Sequence, residues 1–215
     1  MNYLISYLLE LVSHFLFLII FVVDYYRLRQ WRYGVMIVTY LITTALLTKV
    51  MWMGMQNNVH LYNVLFVFSG VGFSLYFLTL LQERWKQVLS LVLGTLTVVY
   101  YVVNNTWYGK EELFDSLGYV LIALSFIVIT FLYFHTLLSH VTDELLSLNF
   151  DFWFICAQLV YNLGAFGIFL SYNYLTRKII EGDQYSQDNR FILTYLWGVH
   201  NVLLFISALV TAIGL

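Results

Sequence analysis

Proline is absent from this 215-residue chain, and charged residues make up only 10% of it. Soluble globular domains contain roughly a quarter charged residues, so this composition argues against a soluble domain. The absence of proline removes the commonest cause of kinked helices. We therefore expect any functional cavity to arise from side-chain choice or from glycine, and not from the interrupted helices of many transporters.

Cysteine is almost absent as well, because Cys156 is the only one and lies inside an apolar run. A single cysteine excludes an intrachain disulfide and any C-x-x-C redox or zinc motif. The sequence also lacks the GxSxG, P-loop and GxGxxG motifs of soluble enzymes. With a formal net charge of -2 and no basic tail, the chain lacks the extended basic surface that neutralises phosphates along nucleic acid, so nucleic acid is not an expected partner.

Apolar residues dominate the chain, which is 61% hydrophobic and 20% aromatic. They fall into runs close to the roughly 20 residues that a helix needs to cross a bilayer. Only a helix satisfies every backbone polar group within such a run. The sequence therefore predicts an all-α, polytopic membrane protein in one transmembrane domain, residues 1–215, with the lipid bilayer as its surroundings. We place its seven spans at 3–23, 33–54, 61–81, 87–105, 113–139, 152–175 and 191–212.

Two connecting segments and three tryptophans carry further expectations. The stretch "HVTDELLSLNFD" predicts a short helix in the membrane interface or an ordinary loop, and "RKIIEGDQYSQDNR" predicts a long mobile loop. Trp31, Trp85 and Trp107 lie beside predicted span ends. Because indole combines an apolar ring with one polar N–H, we expect them at the membrane boundaries.

Polar residues inside the predicted spans are the candidate functional residues. Glu10 and His14 are spaced i and i+4, so they share one helix face near the middle of the first span. Asn162 lies near the middle of the sixth span, and His200 with Asn201 near the middle of the seventh. Ionisable groups at this depth are costly and usually face the bundle interior. The pattern predicts that these residues meet at one depth inside the bundle.

The polar residues allow three interpretations. They form either a structural network of interhelical hydrogen bonds, or a site for a proton or small ligand in which Glu10 and His14 share a proton, or a metal site. Tyr161 and Trp197 lie within about two turns of the same depth and are candidates for the wall of a pocket. Glu10, His14 and His200 are the candidate metal ligands, since two imidazoles and a carboxylate suit zinc or iron. The sequence names no cofactor.

Three segments carry a resemblance to known proteins: "NNVHLYNVLFVFSGVGFSLYF", "FWFICAQLVYNLGAFGIFLSYNYL" and "YLWGVHNVLLFISAL". In these segments the chain resembles a group of small seven-helix membrane proteins from Bacteroidota. The resemblance implies a seven-helix architecture and a bacterial inner membrane, and it implies no chemistry. The matching positions are Asn57, Asn58, Tyr62, Phe152, Trp153, Tyr161, Gly164, Trp197, His200 and Asn201.

The positions of the Lys and Arg residues indicate on which side of the membrane the N-terminus lies. An outside N-terminus puts Arg27, Arg29, Arg32, Arg84 and Lys86 in cytoplasmic loops. It also leaves five other Lys and Arg residues outside. We favour this orientation because the first loop is short and dense in arginine, and because the first helix usually sets the orientation of the whole chain in the membrane.

The sequence supports one leading function and two alternatives. The leading interpretation is a non-enzymatic sensor or accessory protein of the bacterial inner membrane, which binds a small ligand or proton or modulates a protein partner or a second copy of itself. The first alternative is a small intramembrane enzyme, metal-dependent in one version, that uses Glu10, His14 and His200. A transporter or channel is the third possibility, although the sequence shows neither an internal repeat nor a polar row along several spans.

Overall fold

The computed structural model describes residues 3–53, 59–107, 116–139, 149–180 and 186–215. Within these ranges the chain forms seven α-helices and no strand. Each helix contains a segment long and apolar enough to cross a membrane, so the predicted all-α, seven-helix fold of an integral membrane protein is confirmed. The helices are α1 (Tyr3–Leu28), α2 (Trp31–Met53), α3 (Val59–Leu80), α4 (Arg84–Trp107), α5 (Ser116–Ser139), α6 (Phe150–Ile180) and α7 (Ser186–Ala212).

The helices extend beyond the apolar spans into residues that carry charge. Helix α1 continues to Leu28 and α2 begins at Trp31, which leaves a two-residue connection. Arg29 makes this turn possible with a left-handed backbone (φ 53°). Its N–H donates to the carbonyl of Tyr25 at 2.9 Å, a bond that ends a helix by satisfying one of its last carbonyls.

The hydrophilic stretch before α7 is mostly helical. Helix α6 continues to Ile180 and α7 begins at Ser186, so the prediction of a long loop over 177–190 was wrong except for residues 181–185, which lie outside the described residues. Helical backbone bonds are internal, so polar residues extend a helix into water without loss of hydrogen bonds. Of the predicted interfacial segment 140–151, residues 140–148 lie outside the described residues, as do Asn57 and Asn58, while Phe150 and Asp151 begin α6.

The three boundary tryptophans lie at helix ends. Trp31 is the first residue of α2 and Trp85 the second of α4, and their side chains are more than half exposed. Trp107 is the last residue of α4, and its side chain lies outside the described residues. Exposed tryptophans in the first turn of a helix suit the boundary between hydrocarbon and headgroups.

Six of the helices form a closed ring of contacts. Helix α1 packs on α2, α2 on α3, α3 on α5, α5 on α6, α6 on α7, and α7 on α1. Helix α4 lies outside this ring against α3 and α5. Only 17% of its apolar segment is buried, compared with 33 to 50% for the other six. The centre of the molecule is therefore enclosed by six helices, and α4 supports one side.

Aromatic side chains make up much of the core inside the ring. Phe21 and Phe154 pack edge to face with their ring centroids 4.9 Å apart, and Phe73 packs in the same way on Phe126 at 4.2 Å. Lipid tails are as apolar as the core, so close packing rather than the hydrophobic effect holds such helices together. Edge-to-face rings are a favourable form of that packing.

Helices α3 and α4 approach closely at two glycines. A Cβ atom on Gly94 would lie 2.5 Å from Oγ and 2.7 Å from Cβ of Ser74. A Cβ atom on Gly70 would lie 2.7 Å from Oγ1 of Thr97. These distances are shorter than van der Waals contact, so the α3–α4 interface depends on the absence of a side chain at both positions.

The substitution Gly94→Ala is expected to destabilise the protein by about 1 to 3 kcal/mol, the usual cost of overpacking a close interface. Gly167 is the matched control, because a Cβ atom there meets nothing within 4 Å. Gly167→Ala should stabilise the protein by about 0.5 to 1 kcal/mol through helix propensity. Unfolding in mixed micelles with increasing dodecyl sulfate measures both, and equal effects would show that α3 and α4 are not packed at Gly94.

Candidate functional site

A continuous chain of hydrogen bonds links α6, α7 and α1 inside the ring. The Tyr161 hydroxyl lies 2.6 Å from Nε2 of His200, and Nδ1 of His200 lies 2.9 Å from Oδ1 of Asn201. The Asn201 amide nitrogen then donates to the backbone oxygen of Ser6 at 3.0 Å and to its hydroxyl at 2.8 Å. His200, Asn201 and Ser6 are all buried. Two of the predicted residues, His200 and Asn201, are thus bonded directly to each other.

The chemistry of the partners determines which atom donates and which accepts in each of these hydrogen bonds. A backbone carbonyl only accepts, so the nitrogen of Asn201 faces Ser6 and its oxygen faces His200. Nδ1 of His200 therefore carries a hydrogen, and Nε2 of the neutral ring accepts from the Tyr161 hydroxyl. The single proton of Tyr161 is committed to His200, while the lone pairs on its oxygen remain available.

Glu10 and His14 are not bonded to each other through their side chains. The carboxylate of Glu10 accepts from the Tyr62 hydroxyl at 3.2 Å, and Nδ1 of His14 donates to the backbone oxygen of Glu10 at 2.9 Å. The structure therefore shows no direct side-chain bond through which the two groups would share a proton. Helical side chains lean back over the preceding turn, which brings the imidazole to the carbonyl four residues earlier, while the carboxylate turns to α3.

A cavity of about 80 Å³ lies within the six-helix ring, and each of the six helices contributes to its wall. His14, Tyr161 and Asn162 from the predicted set line it. This volume accommodates several water molecules or one small solute. Further polar groups come from side chains that the sequence did not single out, and the remaining wall is apolar and largely aromatic. These additional polar residues are Tyr40, Ser69, Tyr119 and Gln158.

The other predicted residues are not part of the cavity wall. Glu10, His200 and Asn201 are buried beside it. Trp197 packs on His200 with ring centroids 5.2 Å apart and on Tyr62 at 5.4 Å. The predicted set therefore divides into three residues that face the cavity and four that surround them.

The metal hypothesis does not agree with the side-chain arrangement. Among the described residues, no three His, Cys, Asp or Glu side chains are grouped closely enough to hold a metal ion. Both ring nitrogens of His200 already form hydrogen bonds, to Tyr161 and Asn201. The Glu10 carboxylate is directed to α3. This arrangement does not favour a metal site at Glu10, His14 and His200, which stays a prediction.

A second polar cluster, at the α1–α2 end of the ring, was missed in the sequence. Asp151 on α6 accepts from Arg32 at 2.6 Å, from the Tyr33 hydroxyl at 3.2 Å and from the Tyr76 hydroxyl at 2.5 Å. Only 5% of Asp151 is exposed, so its charge depends on these three donors. The available signal was an acid enclosed by aromatics in "NFDFWF". This cluster joins α2, α3 and α6.

Lys86 links α4 to α5, as Asp151 links α6 to α2 and α3. It lies in the first turn of α4, fully buried, and donates to Glu83, to Nδ1 of His135 at 3.1 Å and to Thr136 at 2.9 Å. The hydrogen bond from Lys86 holds the pKa of the Glu83 carboxyl below its ordinary value. The placement of Lys86 in a loop was wrong. A buried helical lysine with three acceptors has a structural role at this position.

The comparisons with known proteins leave the cavity as the main guide to function. No family model, curated protein or solved structure matches the chain. The resemblance to the Bacteroidota membrane proteins therefore stays a prediction. The chain is an integral membrane protein in which a ring of six helices encloses a small cavity with a few polar groups in a mostly apolar wall, and a seventh helix packs outside the ring.

Proposed function

We propose that this protein is a non-enzymatic sensor or accessory protein of the bacterial inner membrane, and that its central cavity binds a small polar molecule. The observation that carries the proposal is the convergence of six helices on one cavity of about 80 Å³ with polar groups in its wall. Binding sites in helix bundles have this character: a mostly apolar wall with a few placed polar groups.

The position of the cavity suits sensing. A solute inside it contacts several helices at once, so it favours whichever arrangement of the ring fits it better. A ligand shifts a conformational equilibrium by its difference in affinity for the two states. The small volume limits the solute to a few non-hydrogen atoms. The enzyme alternative depended on Glu10, His14 and His200 acting together, and these side chains are bonded to different partners.

The test is to identify what the purified protein retains. The protein is isolated in lipid nanodiscs, and small molecules released from it are analysed by mass spectrometry. The variant Ala165→Leu should lose the retained molecule, because Ala165 lines the cavity and the larger side chain fills part of it. Ala45→Leu should retain it, because Ala45 is exposed on the outer side of α2.

Two results would contradict the proposed function. One is a wild-type protein that releases no small molecule beyond those released by Ala165→Leu. The other is equal loss in Ala165→Leu and Ala45→Leu, since Ala45 does not line the cavity and equal loss would place the retained molecule elsewhere.

We also propose that the N-terminus lies on the outer side of this membrane, away from the cytoplasm. Arg27, Arg29 and Arg32 lie together at the α1–α2 connection, and arginine-rich short connections favour the cytoplasm. Leu28 and Trp85 are both exposed on this side of the bundle. In a Cys156→Ser background, cysteines placed as Leu28→Cys or Trp85→Cys should react only with a reagent that reaches the cytoplasm. Labelling of both from outside would reverse the orientation.

A further inference from the structure

We propose that the cavity binds a small hydrogen-bond donor of the ammonium class, namely the ammonium ion or methylammonium. This inference rests on the proposed function, because it specifies the ligand of the same cavity. It follows from the polarity that the surrounding hydrogen bonds impose on the cavity wall.

Tyr161 presents an acceptor to the cavity. The Asn201 amide is held by the backbone oxygen of Ser6, which orients His200 so that its Nε2 accepts the tyrosine proton at 2.6 Å. A hydroxyl has one hydrogen and two lone pairs. With its hydrogen committed to His200, the oxygen of Tyr161 serves a ligand only as an acceptor.

His14 presents a second acceptor. Its Nδ1 lies 2.9 Å from the backbone oxygen of Glu10, and because a carbonyl only accepts, Nδ1 carries the hydrogen of the neutral ring. Nε2 then carries a lone pair. His14 lines the cavity, and its only hydrogen bond within the described part of the chain is the one through Nδ1. The backbone of α1 thereby selects the tautomer in which Nε2 is an acceptor.

Two amide side chains add further acceptor capacity. The Gln158 nitrogen donates to Ser207 at 3.3 Å, and the Asn162 nitrogen donates to the backbone oxygen of Gln158 at 2.7 Å. Both residues line the cavity. Since a nitrogen of each amide is directed to a protein acceptor, the amide oxygens are left for a ligand, and a donor satisfies them.

The remaining wall favours a cation over an anion. No Asp, Glu, Lys or Arg lines the cavity, and four phenylalanines do. The faces of aromatic rings attract cations, whereas an anion would meet no cationic side chain in the wall and only neutral donors such as the hydroxyls of Tyr40 and Ser69. An ammonium group has only donors and no acceptor, which matches the lone pairs of His14 and Tyr161. The volume of about 80 Å³ admits ammonium or methylammonium.

The test is a titration of the full-length protein in nanodiscs, labelled with ¹⁵N-histidine. Ammonium chloride should shift the His14 Nε2 resonance, which is assigned by its loss in His14→Gln. Sodium chloride controls for ionic strength and for a cation without N–H donors. Sodium formate supplies a small ligand with only acceptors. We expect a saturable shift with ammonium and none with sodium chloride or formate.

The variant Tyr161→Phe should weaken ammonium binding about tenfold, the effect of losing one charge-assisted hydrogen bond. Tyr133→Phe is the matched control, because Tyr133 is buried on α5 and does not line the cavity, and it should bind as the wild type does. If Tyr161→Phe fails to fold, Asn162→Leu replaces it, with several-fold weaker binding expected.

The outcomes separate this inference from the proposed function. A saturable shift with formate and none with ammonium overturns the ammonium assignment and leaves a ligand-binding cavity in place. Equal affinity in wild type, Tyr161→Phe and Tyr133→Phe also overturns it, since the acceptors at the wall would then not bind the ligand. A third outcome is that none of the three salts shifts the His14 Nε2 resonance, while mass spectrometry still finds a molecule that the wild type retains and Ala165→Leu lacks. In that case the inference fails and the proposed function stands. The proposed function fails only if that retained molecule is also absent.

Discussion

Asp151→Ala is expected to lower the free energy of unfolding by about 3 kcal/mol, the lower end of the range for removing one partner from a buried ion pair. Asp151 accepts from Arg32, Tyr33 and Tyr76, so its loss leaves the guanidinium without its opposite charge and two hydroxyls without their acceptor. The lower end of the range applies because the Arg32 side chain remains 18% exposed and water compensates part of its charge.

A double variant provides the control for Asp151. Arg32→Met combined with Asp151→Leu should recover part of the stability lost in Asp151→Ala, because replacing both charges by apolar groups removes the unpartnered cation. Steric-trapping measurements in bicelles report the free energy directly. A loss below about 1 kcal/mol in Asp151→Ala would mean that this cluster contributes no more than an exposed ion pair.

Asn201→Leu should cost about 2 kcal/mol. Asn201 makes three hydrogen bonds, two to Ser6 and one to His200, and hydrogen bonds between membrane helices average about 0.6 kcal/mol each. It is fully buried and connects α7 with α1, so no water replaces these partners. Leucine has the same number of side-chain heavy atoms with the same branching, so the variant removes the hydrogen bonds without shortening the side chain.

Asn162→Leu is the matched control for Asn201→Leu. Its described hydrogen bond runs within α6, to the backbone oxygen of Gln158, so no contact between helices is lost and about 0.5 kcal/mol is expected. The same dodecyl sulfate titration used for the glycine variants compares the two. Equal losses would contradict the assignment of Asn201 as the link between α7 and α1.

The candidate site could be predicted only in part. The cost of burying polar and ionisable groups pointed to Glu10, His14, Asn162, His200 and Asn201; His14 is half-buried and the other four are buried. Their partners were not predictable, because a hydrogen bond depends on which helices are neighbours. Ser6 and Asn201 are 195 positions apart, and nothing in the local pattern around either residue identifies the other.

The Arg32–Asp151 pair shows the same limit. Each residue lies at the edge of an apolar run, where an exposed role is the usual one. Their pairing across 119 positions follows from α2 and α6 presenting their first turns to the same end of the ring. Two tyrosines that also resemble ordinary boundary residues complete the cluster.

By itself the sequence determined that the chain crosses a membrane as seven helices. Hydrocarbon offers no partner to backbone polar groups, so each apolar run of sufficient length must satisfy its own as a helix. The tertiary structure alone decided which helices form the ring, that α4 lies outside it, and which side chains face the cavity. The reason is that lipid and protein interior are equally apolar. An apolar residue therefore suits the lipid-facing and the interior-facing side of a helix alike, and only the packing of neighbouring helices decides which side faces the interior.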